Sequence, residues 1–155
     1  MRDFILTGTG LQLLMSSILR KGSNYRVKVI GQGYSMSPFI KNNDTIILKS
    51  VNPIKKIKFG DIVAVSNSKK DKLVIHRIIR MKNGQFQTKG DNNPDADPWC
   101  TKDDIIGIVD EIIADSGSSY RCTHWQNILI AFASKTGLLN HIIYPGYQTF
   151  RNLIK

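Results

Sequence analysis

Apolar residues recur with helical spacing near the start of this chain and with strand spacing through its middle. Leu11, Leu14, Met15, Ile18 and Leu19 fall at i, i+3, i+4, i+7 and i+8, one stripe that predicts a short helix over 9–20. Gly22, just beyond Arg20-Lys21, marks its stop. From Tyr25 to Ile30 the period drops to two, with Tyr25, Val27 and Val29 opposite Arg26 and Lys28, as in a half-buried strand. Residues 44–48 and 61–65 predict two more strands, separated by the breakers Asn52-Pro53 and Phe59-Gly60. Runs over 72–81 and 85–89 flank Asn83-Gly84, the strongest short-range hairpin signal. Asp91 to Pro98 is acidic and proline-bounded, which predicts a loop. Strand character returns over 105–113, with 120–125 as a candidate last strand. Apolar clusters at 126–133 and 138–144 predict short helices divided by Gly137 and ended before Pro145.

The pattern therefore predicts a mainly β chain with small helices at both ends. At 155 residues it suits a single domain over 1–155, with a helix at 9–20, a β-core at 25–113 and a helical segment at 126–150. A hydrophobic share of 41% beside 22% charged residues is that of an ordinary globular protein. No stretch reaches the ~18–20 apolar residues that span a bilayer. Met1-Arg2-Asp3 has an early acid, and no small-residue cleavage site follows a long apolar run, so no secretory signal is expected. These features leave the location between cytoplasmic and peripheral to a membrane.

Charge changes the picture in one respect. The net +10 is uneven: residues 91–115 hold eight acids against one base, Lys102, while the remainder carries 21 bases and four acids. A basic body favours an anionic surface, either lipid headgroups or nucleic acid, although Lys55-Lys56, Lys58 and Lys69-Lys70 also read as a solvated face. Two cysteines, Cys100 and Cys122, allow one disulfide and give no framework. Cys122-x-His124 with Cys100 lacks a fourth ligand and a regular spacing, so neither a metal nor a cofactor is expected.

Three polar segments carry candidate chemistry. Gly33-Tyr34-Ser35-Met36-Ser37-Pro38 places a serine in a Gly-flanked turn between two strands, where its hydroxyl can stand clear of the sheet. His76 lies on the first hairpin strand with the parity of Val74 and Ile78, while Arg77 shares the other face with Ile75 and Ile79. Lys89-Gly90-Asp91-Asn92-Asn93 follows, and then Asp95-Ala96-Asp97-Pro98. In that order they offer a nucleophile, a base and an acid to orient the base. Read without further context, Ser35 is also an ordinary turn serine and His76 an ordinary core histidine.

Ser-Met-x-Pro at 35–38, Gly60-Asp61-Ile62-Val63, His76-Arg77 and Gly90-Asp91-Asn92-Asn93 resemble the ordered boxes of the type I signal peptidase family. The resemblance covers about residues 25–110. It is closest to the Ser–His branch, typified by the endoplasmic reticulum enzyme and archaeal relatives; the bacterial Ser–Lys branch has lysine where His76 stands. It implies a coiled, partly barrel-like antiparallel sheet and a serine endopeptidase that cleaves signal or leader peptides after small residues. By the same resemblance the catalytic residues are Ser35, His76 and Asp97, with Asp91 either structural or sharing the role of the acid. Asp95 lies outside the matched positions. The oxyanion would be met by backbone N–H groups at Gly33, Tyr34 and Ser35. Some members carry a serine at the position of Gly33, whose hydroxyl is missing here.

Two other functions compete. Self-cleaving repressor domains share this fold and the serine box, but they use lysine in place of His76 and follow a DNA-binding domain. Only 34 residues precede Ser35, and no helix-turn-helix is readable, which argues against a nucleic-acid partner. A non-catalytic module on the same fold, binding a partner, a lipid surface or nucleic acid, is the remaining alternative. The expected partner is a peptide or protein substrate, and nothing in the sequence fixes an oligomeric state.

Overall fold

The computed structural model describes residues 17, 26–51, 57–67, 72–121 and 123–138. Eight strands form one antiparallel sheet: β1 (Arg26–Ile30), β2 (Thr45–Ser50), β3 (Ile62–Asn67), β4 (Lys72–Lys82), β5 (Gln85–Lys89), β6 (Trp99–Cys100), β7 (Ile105–Ile113) and β8 (Ser119–Tyr120). Their order is β1-β2-β7-β3-β4-β5-β6, with β8 beside β7. The ends of this path do not pair, so the sheet is coiled and open, as an antiparallel fold of the expected class. Register shifts at Ile47/Leu48, Ala64/Val65 and Ile78/Arg80 mark bulges or irregularities, which bend strands and increase their twist.

Local chemistry accounts for most boundaries. Alternation in β1 gives alternating exposure, Val27 and Val29 half-buried between exposed neighbours. The β4–β5 hairpin turns at Asn83 and Gly84, both with positive φ (49° and 75°), the geometry that favours an Asn-Gly pair. The sheet buries apolar side chains on both faces. One cluster gathers Met36, Ile40, Ile46, Leu48, Ile62, Ala64, Ile106 and Ile112; the other gathers Ile57, Val63, Ile78, Phe86, Ile105 and Ile108.

The candidate strand at 120–125 is corrected. Only Ser119–Tyr120 pairs with β7, and α1 (His124–Lys135) begins almost at once. Thr123 and Gln126 explain why: each side chain caps the other's backbone N–H, satisfying donors that a helix start leaves bare. Of the predicted helix at 9–20 only Ser17 is described, and it is helical; the segment at 139–150 lies outside the described residues. No described helix is long and apolar enough to cross a membrane.

α1 packs on the sheet beside Gly60. That residue has φ of +90°, and a Cβ there would sit 2.8 Å from the backbone carbonyl of Asn127. Phe59 meets Phe132 with ring centroids 5.3 Å apart. Gly60→Ala therefore combines backbone strain with a clash against backbone. It should lower stability by more than about 1 kcal/mol in urea denaturation, with loss of hydrogen-exchange protection in α1.

Candidate active site

The serine loop is pinned at both ends. After β1, the Gly31 N–H donates to the Asp44 carbonyl (2.8 Å) and Asn43 N–H to the Gly31 carbonyl (2.9 Å). Gly33 takes φ of +88°, a conformation that favours glycine, and its N–H donates to Asn42 Oδ1 at 2.9 Å. Met36 and Ile40 are buried in the first apolar cluster, so the loop is plugged into the core just past Ser35. The Ser37–Pro38 peptide is cis. Ser35 itself remains half-buried, beside an exposed Tyr34.

The Gly90-Asp91-Asn92-Asn93 segment holds Ser35 from the other side. Asn92 N–H donates to the Ser35 carbonyl at 2.7 Å, and Asn92 Nδ2 to the Tyr34 carbonyl at 3.3 Å. A Cβ at Gly90 would lie 2.7 Å from the Ser35 carbonyl oxygen and 2.9 Å from the Asn93 side chain. Glycine at 90 is thus a demand for space, because the two loops touch backbone to backbone.

His76 sits in the middle of the sheet, paired across to Val63, and is only 6% exposed. Its Nε2 lies 3.2 Å from Ser35 Oγ and its Nδ1 2.6 Å from Asp97 Oδ2. The carboxylate can only accept when ionised, which assigns the proton to Nδ1 and leaves the Nε2 lone pair facing the hydroxyl. Asp97 is held in turn. Thr88 Oγ1 donates to its Oδ2 at 2.8 Å, its N–H donates to the Thr88 carbonyl at 2.8 Å, and Gln87 Nε2 donates to its carbonyl at 3.1 Å.

Asp91 is placed differently. Both its oxygens accept from Arg77, Nε at 2.9 and 3.1 Å and Nη2 at 2.8 Å, and both side chains are wholly buried. Arg77 Nη1 donates to the Gly60 carbonyl (3.1 Å) and Asn127 Oδ1 (2.9 Å), and the guanidinium lies 5.8 Å from the Phe39 ring. Asp95 is exposed. Lys89, 3% exposed, donates to the Ser134 carbonyl at 2.9 Å. Burial depresses its amine pKa, with Asp91 and Asp95 pulling the other way. Burial, helped by Asp104 and Asp97, pushes the Cys100 thiol up to about 11. Such a thiol is a poor nucleophile near neutrality. Cys122 lies outside the described residues.

The structure brings Ser35, His76 and Asp97 together; the sequence motifs include Arg77 and Lys89 without a role for either, and give no sign of Gln87, Thr88 or Asn127. Arg77 left one trace. An arginine between Ile75 and Ile79 on the inward parity of an apolar strand requires a buried partner. Thr88 and Gln87 left none, since polar residues on a hairpin strand are commonplace.

Residues 9–110 match the Peptidase S24-like family. The chain is 31% identical over 87 residues to the signal peptidase complex catalytic subunit sec11 of Sclerotinia sclerotiorum, covering 48% of this chain and 51% of that protein. The Neurospora crassa subunit of the same name matches at the same identity and coverage. Signal peptidase I W of Bacillus subtilis is 32% identical over 86 residues, 53% of this chain and 44% of that protein. The chain spans about half the length of the curated relatives it matches.

The two acids should separate in stability measurements. Asp91→Ala leaves the Arg77 charge buried and unpaired and should cost about 3–5 kcal/mol. Asp97→Ala removes a carboxylate whose side chain is 31% exposed and should cost no more than about 1.5 kcal/mol. Urea denaturation of both variants checks this; equal losses would remove the structural distinction drawn between them.

Proposed function

The chain belongs to the Peptidase S24-like family, with signal peptidases among its relatives, and from that premise we propose that it is a serine endopeptidase. Its proposed substrates are signal or leader peptides cut after small residues. The observation that carries this reading is the unbroken chain of contacts from Ser35 Oγ through His76 to Asp97, at 3.2 and 2.6 Å, beside a half-exposed hydroxyl.

Each residue then has a definite task. A serine hydroxyl attacks a peptide carbonyl only if a base removes its proton as the bond forms. His76 Nε2 is within reach of that proton, and Asp97 stabilises the imidazolium and keeps the ring in the tautomer that can accept it. The scissile C–N bond breaks as His76 returns the proton to the leaving amine, giving an acyl-Ser35 and a free N-terminus. Water, deprotonated by His76, then attacks the acyl carbon; the ester bond to Oγ breaks as His76 returns the proton to it, releasing the new C-terminal carboxyl and restoring Ser35.

Charge on the tetrahedral oxygen would be met by N–H groups around Ser35, its own included. Gly33 supplies no hydroxyl there. Loss of one oxyanion donor costs on the order of a hundredfold in rate, so a slow enzyme is expected. Asp91 is assigned a positioning role through Arg77 and through Asn92, its neighbour at the Ser35 carbonyl.

Incubation with peptides carrying Ala-x-Ala sites, followed by mass spectrometry, tests the reading. Cleavage after the second alanine is expected, and Ser35→Ala and His76→Ala should each reduce kcat by at least about a thousandfold. Cleavage that survives in either variant would sink the mechanism.

A further inference from the structure

Helix α1 lies outside the family-matched residues 9–110, yet it reaches the proposed site through Asn127. Asn127 Oδ1 accepts from Arg77 Nη1 at 2.9 Å. The guanidinium carries donors only, so the amide must turn its oxygen toward it. Arg77 follows His76 on β4, and its other face grips Asp91, which precedes Asn92, the donor to the Ser35 carbonyl. One buried guanidinium thus joins α1 to the strand that bears the base and to the loop that holds the nucleophile.

We infer that Asn127 is a positioning residue, which fixes Arg77 and through it the mutual placement of Ser35 and His76. Three observations carry this beyond helix packing. Arg77 is wholly buried, so losing an acceptor at Nη1 leaves a buried donor short of a partner. Among the described residues the one other acceptor of Nη1 is the Gly60 carbonyl, at a longer 3.1 Å. And α1 is held at the depth this contact needs by separate means: the glycine at 60 under the Asn127 backbone, the Phe59–Phe132 contact, and Lys89 on the Ser134 carbonyl. That last bond lies in the final turn of the helix, where its dipole favours a cation. With Asn127 truncated, the helix still docks while the guanidinium turns to recover a partner. That rotation is passed to Asp91 and to the backbone beside His76.

The kinetic consequence rests on the reading of Ser35 and His76 as nucleophile and base, but the geometric one does not, and the test separates them. Histidine-labelled protein would be followed by NMR at the His76 Nδ1 proton, which the 2.6 Å contact with Asp97 shifts downfield. Asn127→Ala should move or broaden that resonance. Asn127→Asp, which keeps an acceptor oxygen, should restore it, and Phe132→Ala, which loosens α1 elsewhere, should leave it in place. Should Asn127→Ala not fold, Asn127→Ser, whose hydroxyl falls short of the guanidinium, carries the same comparison. In peptide cleavage Asn127→Ala should lower kcat about tenfold with KM unchanged. An unmoved resonance in Asn127→Ala overturns the inference, even if its melting temperature falls. If the wild type cleaves no peptide, the protease reading fails, and the resonance still decides the role of Asn127.

Discussion

A guanidinium with no exposed surface is tolerable only if its charge is matched and its N–H groups are occupied, and that requirement organises this molecule. Arg77 meets it with a bidentate carboxylate from Asp91, a backbone carbonyl from Gly60 and an amide oxygen from Asn127. Those partners come from three separate parts of the chain. Burying such a pair gains little net stability over an apolar one of the same shape, because desolvation offsets most of the attraction. Its effect is on uniqueness: each partner has one position in which the charge is satisfied.

The proposed site inherits that constraint at one remove. Asp91 cannot move from Arg77, Asn92 follows Asp91, and the Asn92 N–H holds the Ser35 carbonyl. Gly90 completes the arrangement by letting the two backbones approach to a distance that a methyl group would forbid. The segment Gly90-Asp91-Asn92 therefore works as a coupling between a buried charge and a half-buried hydroxyl. Asp97, six residues on, sits under a different rule. It is partly exposed and anchored by Thr88 and Gln87, so it can carry charge toward His76 without the burial penalty that Asp91 and Arg77 share.

What could be read in advance follows from which interactions are local. Period-two alternation and the Asn83-Gly84 turn depend on near neighbours, and β1, β4, β5 and β7 fall where the pattern puts them. The boundary at 120–125 differs because apolar spacing starts the helix at Gln126, whereas the reciprocal cap between Thr123 and Gln126 starts it at His124. Ser35, His76 and Asp97 were legible because the boxes around them resemble a known family, not because their spacing is distinctive. Asn127 and Lys89 were not legible at all. Their partners are 50 and 45 residues away, and no periodicity encodes a single long-range hydrogen bond.

The distribution of contacts also says where ordering the site is costly. His76, Arg77, Thr88, Gly90, Asp91 and Asp97 all belong to one hairpin and the loop that continues it, so closing the Asn83-Gly84 turn brings most of the constellation together cheaply. Ser35 comes from 41 residues away and must be captured separately. Two anchors of different character do this. Met36 and Ile40 sink into the core, a contact that tolerates small shifts, whereas the 2.7 Å bond from Asn92 and the space at Gly90 do not. Apolar burial brings the loop in, and the short polar contact sets where its hydroxyl stops. The angle at which Ser35 meets His76 is accordingly decided by backbone geometry at residues 90–92, and hence by the buried charge that holds residue 91.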